Sequence, residues 1–319
     1  GIVTFEIEIN APESSRDVRL WVPYPQSDSE QTISDIKVNG NFTSSNVYPQ
    51  KDAGDMALYA EWKEPAKTRH LTMTFMAKAI ERGKHVPAGF KHGKDFSQKG
   101  YNLPLEVKEF TQGSQYIPTD GKIKEIATGI TKDADSILKK AELIYDWVIA
   151  NTYRDPDVRG CGTGEVERVL AEKGGKCADI SGVYVALARA SDVPAREVWG
   201  LRLGKKPVED ITGGHHCWAE VYLPDYGWIP LDPADVRKAM LTEKLELNDP
   251  KTKDYRNYYF GSVDKYRIVL TRGTKGYNLY PPQKGGTIPY GFMYPYAEID
   301  GKPVDWLAGQ KELKYKITF

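Results

Sequence analysis

The chain is poor in the residues that would commit it to a specialised scaffold. Of its 319 residues only three are cysteine, Cys161, Cys177 and Cys217. That is too few for a disulfide framework, and the odd number leaves at least one thiol outside any intramolecular pair. No uncharged run approaches the ~18 apolar residues of a membrane span. Neither sign of charge dominates, with 44 Lys and Arg against 44 Asp and Glu, so no global field draws in nucleic acid or an anionic membrane. Internal repeats and low-complexity tracts are absent. What remains, 40% hydrophobic and 28% charged, is the composition of an ordinary soluble protein, long enough for about two domains. The first residue is Gly1 rather than methionine, as removal of a secretion signal or cloning would equally leave it; composition alone leaves the compartment open.

Hydrophobic periodicity divides what is there into three regions. In residues 1–103 Val3, Phe5, Ile7 and Ile9 alternate with polar neighbours, as do Leu71, Met73, Phe75 and Ala77. A period of two half-buries a strand, so this region reads as a β-sandwich-like domain. Turns are expected at 27–29 and at Asn39-Gly40. Asn41-Phe42-Thr43 fits a glycosylation sequon. Residues 81–103, with His85, His92, Gly89, Gly93 and Gly100, read as a linker. From 104 to 245 helical spacing takes over. Ile137, Ala141, Ile144, Tyr145 and Val148 line one helix, a short helix is expected at 165–170, and Ile180, Val183, Tyr184 and Leu187 fall at i, i+3, i+4 and i+7. Strands follow at Trp199–203, 215–223 and 228–232, which makes an α+β core. Residues 246–319 are tyrosine-rich and strand-like again, with a hairpin signal at Asp300-Gly301 and a cleanly alternating last segment, Leu313, Tyr315, Ile317 and Phe319.

Chemistry concentrates in the middle region. Cys177 opens a helix directly after Gly174-Gly175. Unpaired N–H groups and the macrodipole at a helix N-terminus favour a thiolate, the nucleophilic form. Glycines there would let the backbone approach a substrate, and N–H groups of the same turn could hold an oxyanion. The plainer alternative is a buried structural thiol. A thiol nucleophile needs a base, usually histidine, and a third group to orient it. His70, His85 and His92 lie in the β domain or linker. On the strand at 215–223, His216 shares a face with Trp218, Glu220 and Tyr222, while His215 and Cys217 share the more apolar face with Ala219 and Val221. The apolar set should face the core, which points His216 toward the open side and turns Cys217 away from Cys177. Asp232 reaches the face of His216 only if the hairpin pairs even positions with even ones, which an odd loop or a bulge at Gly227 would supply.

Gly-Lys-Cys at a helix start, Ser-Asp-Val-Pro-Ala-Arg closing that helix, His-Cys-Trp-Ala-Glu-Val and Gly-Trp-Ile-Pro-Leu-Asp-Pro follow one another within about 60 residues. Together they resemble the transglutaminase-like superfamily, relatives of papain-type thiol enzymes, over roughly residues 105–240. The resemblance implies a papain-like core of helices packed on an antiparallel sheet, with Cys177 as nucleophile, His216 as general base and acid, and Asp232 orienting the imidazole. It also suggests a bacterial subgroup, often exported to the periplasm or beyond, with a leading β domain; Arg-Gly-Cys-Gly at 159–162 fits that subgroup. The family's additional oxyanion donor would be Trp147, Asn151 or Tyr153. Asp192 stands where the family has glycine, a position aspartate tolerates. Cys217 replaces a small residue and reads as packing, with a Cys161–Cys217 disulfide as the other option.

The implied activity is a cysteine protease or amidase that passes through an acyl-enzyme and takes a peptide or protein, cell-wall peptides among them, without a cofactor. Transfer to a lysine amine, as in a protein-glutamine transglutaminase, uses the same triad. Two readings of other classes stand beside it. One is a non-catalytic peptide or carbohydrate-binding module, using some of the seven tryptophans and 20 tyrosines. The other is a structural zinc site from Cys161, Cys177, Cys217 and His215, which lacks paired ligand spacing and which strand parity would separate.

Overall fold

The computed structural model describes residues 1–50, 54–83, 103–224, 226–273, 275–307 and 311–319. Most of the expected linker, including His85, His92, Gly89, Gly93 and Gly100, lies outside the described residues. The chain divides into two compact units. A strand unit takes residues 1–80, 199–216 and 265–319, and a helical unit takes 81–198 and 217–264.

The strand unit begins with β1 (Ile2–Ile9), β2 (Val18–Tyr24), β3 (Gln31–Gly40), β4 (Ser44–Pro49), β5 (Met56–Trp62) and β6 (Arg69–Ala79). In β1 and β6 the alternating apolar residues are buried and the antiparallel register sets Val3 opposite Phe75, Phe5 opposite Met73 and Ile7 opposite Leu71. Each such side chain contributes about 1.5–3 kcal/mol on leaving water. The edge strand β3 is mostly exposed and carries a register shift between Ser34 and Lys37, a device that discourages edge-to-edge pairing. Asn41 is tied down: its Nδ2 donates to the Thr68 carbonyl while its Oδ1 accepts from Trp62 Nε1 and the His70 N–H. The sequon nitrogen therefore serves a turn.

The helical unit holds α1 (Leu105–Lys108), α2 (Gly121–Thr131), α3 (Ile137–Asn151), β7 (Tyr153–Arg154), α4 (Val166–Glu172), β8 (Gly174–Gly175) and α5 (Cys177–Ala190). Ser136 caps α3 by accepting from the Lys139 N–H. Every residue of α5 is buried, not one face alone; its alanines, glycine and serine let α2, α3, α4 and α6 (Pro233–Glu243) crowd around it. Asp192 adopts φ +61°, so the left-handed helix end survives without glycine. Strands β9 (Ala195–Arg202), β10 (His215–Leu223) and β11 (Gly227–Leu231) follow, and the boundary between the units falls inside β10, after His216. Helix α7 (Pro250–Tyr258) then occupies a stretch whose tyrosines read as strand; Asp249-Pro250 supplies its start.

The last strands, β12 (Arg267–Gly273), β13 (Tyr296–Ile299), β14 (Lys302–Pro303) and β15 (Leu313–Thr318), return to the strand unit. Residues 246–319 therefore do not stand apart. β15 pairs antiparallel with β1 and β13 with β2, giving the orders β15-β1-β6-β3 and β14-β13-β2-β5-β4. Asp300 and Gly301, at φ +50° and +78°, make the tight β13–β14 turn. A four-stranded sheet in the order β11-β10-β9-β12 completes an α+β architecture.

Candidate active site

Cys177 is the first residue of α5, and its surroundings are organised by a side chain two positions on. Asp179 is wholly buried; its Oδ2 accepts from the Lys176 N–H at 3.0 Å, and its Oδ1 from the Gly164 N–H at 2.9 Å and Arg168 Nη2 at 3.0 Å. Burial pushes this carboxyl above its ordinary value, against those N–H groups and the guanidinium. The glycines nearby answer to the same carboxylate. A Cβ on Gly162 would stand 1.9 Å from Asp179 Oδ2, and one on Gly175 would stand 2.4 Å from Asp179 Cβ. Gly174 makes room for the Tyr153 hydroxyl in the same way, at 2.6 Å. Open backbone for a substrate was the expectation at Gly174 and Gly175; internal packing is what they provide. The Ala178 N–H donates to the Cys161 carbonyl at 2.9 Å, so the Arg-Gly-Cys-Gly loop is strapped to the mouth of α5.

The sulfurs of Cys161, Cys177 and Cys217 lie within 4.8 Å of one another, all buried and none in a disulfide. This corrects the parity reading that turned Cys217 away from Cys177. Both faces of β10 are covered, so alternation no longer separates a core side from an open side, and the first turn of α5 sits against the face that carries Cys217. Burial first, and the neighbouring thiols second, push the Cys217 pKa well up. His215 is elsewhere: its ring lies 4.4 Å from that of Tyr294, and its Nδ1 is 3.2 Å from the Thr212 carbonyl. The four-ligand zinc set is therefore not assembled.

The hairpin has the even-to-even register that Asp232 requires. Ala219 pairs with Leu231, Glu220 with Pro230 and Leu223 with Gly227, which takes φ +76°. Asp232 leaves β11 as the N-cap of α6; its Oδ1 accepts from the Asp235 N–H at 2.9 Å, and its own N–H donates to the Tyr259 carbonyl. A ring nitrogen of His216 and carboxylate oxygens of Asp232 and Asp235 lie within 4.8 Å of one another. The sequence signal for Asp235 is the capping pattern Asp-Pro-Ala-Asp at 232–235. The even face of β10 is not open: Glu220 pairs with Arg196 at 2.6 Å, and that guanidinium lies 4.0 Å over the Trp228 ring. His216 is 3% exposed and Cys177 2%.

Of the oxyanion candidates, Asn151 spends its Nδ2 on the Trp147 carbonyl at 2.8 Å, inside α3. The Trp147 ring lies under Lys173 Nζ. Tyr153 pairs with Gly174 in the short parallel β7–β8 ladder, three residues before Cys177.

A papain-like core with a thiol at a helix mouth and an imidazole–carboxylate pair on the adjoining hairpin defines a class, and comparison with known proteins agrees. The family profile described as Transglutaminase-like superfamily matches residues 124–233. An uncharacterised protein of Haemophilus influenzae is 34% identical over 97% of this chain and 88% of its own. The uncharacterised protein YebA of Bacillus subtilis is 28% identical over 46% of this chain, but only 22% of its own length. A solved structure from Cytophaga hutchinsonii, called a "putative cysteine protease", shares the fold at TM-score 0.53 and 13% identity, covering 100% of this chain and 97% of that one. The chain belongs to the transglutaminase-like superfamily. No described helix is long and apolar enough to cross a membrane.

Proposed function

We propose that the protein is a cysteine-nucleophile enzyme that hydrolyses amide bonds through Cys177, His216 and Asp232. One observation carries the reading. The sulfur cluster and the imidazole–carboxylate cluster are anchored on consecutive residues of one strand, Cys217 and His216. Their Cα atoms are about 3.8 Å apart, so the two clusters are anchored at neighbouring positions of one strand.

In this mechanism His216 takes the thiol proton and the Cys177 sulfur attacks the carbonyl carbon. The Cys177 N–H holds the developing oxyanion. Collapse expels the amine, which leaves with the proton from His216, and a thioester remains. His216 then deprotonates a water, whose oxygen attacks the thioester and releases a carboxylic acid and the thiol. Asp232, held by capping α6, keeps the imidazole in one tautomer. The depth of Cys177 and His216 leaves a small reactive edge, suited to a slender acyl group such as an extended peptide or a glutamine side chain. Peptides or proteins are the substrate class. A periplasmic or extracellular setting goes with the family resemblance and is tested by fractionating cells.

Turnover of a peptide and isopeptide library by the wild type, against Cys177→Ala, decides the reading. Loss of turnover in the variant is expected, and retained turnover overturns it. Product analysis with and without an added lysine amine separates hydrolysis from transamidation.

A further inference from the structure

The three sulfurs at the mouth of α5 do more than one nucleophile requires. Triad chemistry uses Cys177 alone, yet the sulfurs of Cys161 and Cys217 lie within 4.8 Å of it and of each other, on three separate elements. Cys161 comes from the loop whose carbonyl is bonded to the Ala178 N–H, Cys177 from the first turn of α5, and Cys217 from β10. Two independent restraints fix the loop: the Cys161 carbonyl accepts from the Ala178 N–H, and the Gly164 N–H donates to Asp179 Oδ1. Three thiols are thus held together before any ion arrives, and preorganisation is what a metal site needs.

We propose that Cys161, Cys177 and Cys217 form a binding site for a soft monovalent d10 cation, Cu(I), held by three sulfurs. The donor set selects the ion. Thiolates prefer Cu(I), zinc and iron–sulfur clusters over hard cations. Structural zinc takes four protein ligands, and among the described residues no further His, Cys, Asp or Glu joins these three within the same distance. A three-coordinate ion with metal–sulfur bonds of about 2.3 Å holds its sulfurs about 4 Å apart, inside the observed limit. Binding releases the thiol protons and leaves the sulfurs at their present oxidation state. Cys161 and Cys177, at 4% and 2% exposure against none for Cys217, mark the side on which the ion enters. One consequence rests on the catalytic reading above: an ion on the Cys177 sulfur removes the nucleophile, so copper is a reversible inhibitor.

The test is anaerobic titration of the reduced, full-length protein with Cu(I) buffered by a chromophoric chelator, followed by X-ray absorption spectroscopy. One tightly held copper per chain, bonded to three sulfurs, is expected. Cys161→Ser and Cys217→Ser should each weaken the affinity more than roughly a hundredfold, since outer-sphere changes alone cost 10–100-fold. Failure to compete with the chelator overturns the proposal, as does a sulfur count of two or fewer in the wild type, which needs no folded variant. Wild-type affinity in both serine variants overturns it too. Copper bound by three sulfurs in a protein that hydrolyses no acyl substrate would sink the enzymatic reading and leave the metal site standing.

Discussion

The Asp179 carboxylate and the Gly164 N–H are joined at 2.9 Å, and that bond ties the Cys161 loop to the start of α5. That bond predicts that residues with no part in the chemistry govern the integrity of the site. Asp179→Ala leaves buried N–H groups of Lys176 and Gly164 without their acceptor and should cost about 2–4 kcal/mol. Gly162→Ala should cost a similar amount, because its φ is +86° and its Cβ would overlap Asp179. The carboxyl also contributes a pH dependence. Its folded pKa is raised above 3.8, chiefly by burial, so the folded state holds the proton where the unfolded chain has lost it. Stability from this group falls as pH rises from 3.8 through the raised value. Denaturant titrations across acid pH should show that slope in the wild type and lose it in Asp179→Ala.

In the proposed mechanism Asp232 has two duties that substitution can separate. It caps α6 through the Asp235 N–H, and it lies with His216. Asparagine caps as well as aspartate does, so Asp232→Asn should melt within a few degrees of the wild type. An amide cannot support the same imidazole tautomer and charge, so kcat/KM should fall by about 10³–10⁴-fold. Asp232→Ala should lose the cap as well, about 1 kcal/mol more. Equal activity in wild type and Asp232→Asn would remove Asp232 from the mechanism.

Much of this was legible because local rules and tertiary structure agree. The alternation in β1, β6 and β15 reads directly as strand, and the even-to-even hairpin register meets the condition under which Asp232 reaches the face of His216. What failed depended on partners far away in sequence. Cys217 was turned from Cys177 because parity assumes one buried face, and β10 has two. Gly174 and Gly175 read as open backbone because nothing local shows that Tyr153 and Asp179 fill the space beside them. The C-terminal strands looked like a separate region because strand pairing across some 300 residues leaves no mark at either end.

That long-range pairing carries its own prediction. β15 covers one edge of β1 and buries Leu313, Tyr315 and Ile317. At about 1.5–3 kcal/mol per side chain, removing residues 311–319 should forfeit an amount comparable with the 5–15 kcal/mol that holds a typical protein together. The truncated chain should be degraded by trypsin at concentrations that spare the full chain. An equally resistant truncation would show that the β1 edge tolerates exposure.

Arg196 and Glu220 form a nearly buried pair, with the guanidinium over Trp228. Glu220→Gln leaves that cation uncompensated and should cost about 3 kcal/mol. Arg196→Lys keeps the charge but loses the fork and the stack, at a cost of about 1–2 kcal/mol. The double variant Arg196→Met/Glu220→Gln should be less destabilised than the sum of its single changes, since both charges leave together. Strict additivity in chemical denaturation would mean that the pair does not interact.

The three thiols can be ranked by reactivity. Burial, and next to it the Cys161 and Cys177 thiols, hold the Cys217 pKa far above its ordinary value, and thiol, unlike thiolate, is unreactive toward alkylating agents. Cys177 stands at a helix N-terminus, where negative charge is favoured. Iodoacetamide at neutral pH should therefore modify Cys177 first and leave Cys217 untouched until the protein is unfolded, as peptide mass spectrometry after digestion would show. Pre-loading with Cu(I) should protect Cys177 as well, and a chelator should restore its labelling. If Cys217 were carboxamidomethylated ahead of Cys177 in the native protein, the reactive sulfur would belong to the strand, and the assignment of nucleophile to the helix would have to be given up.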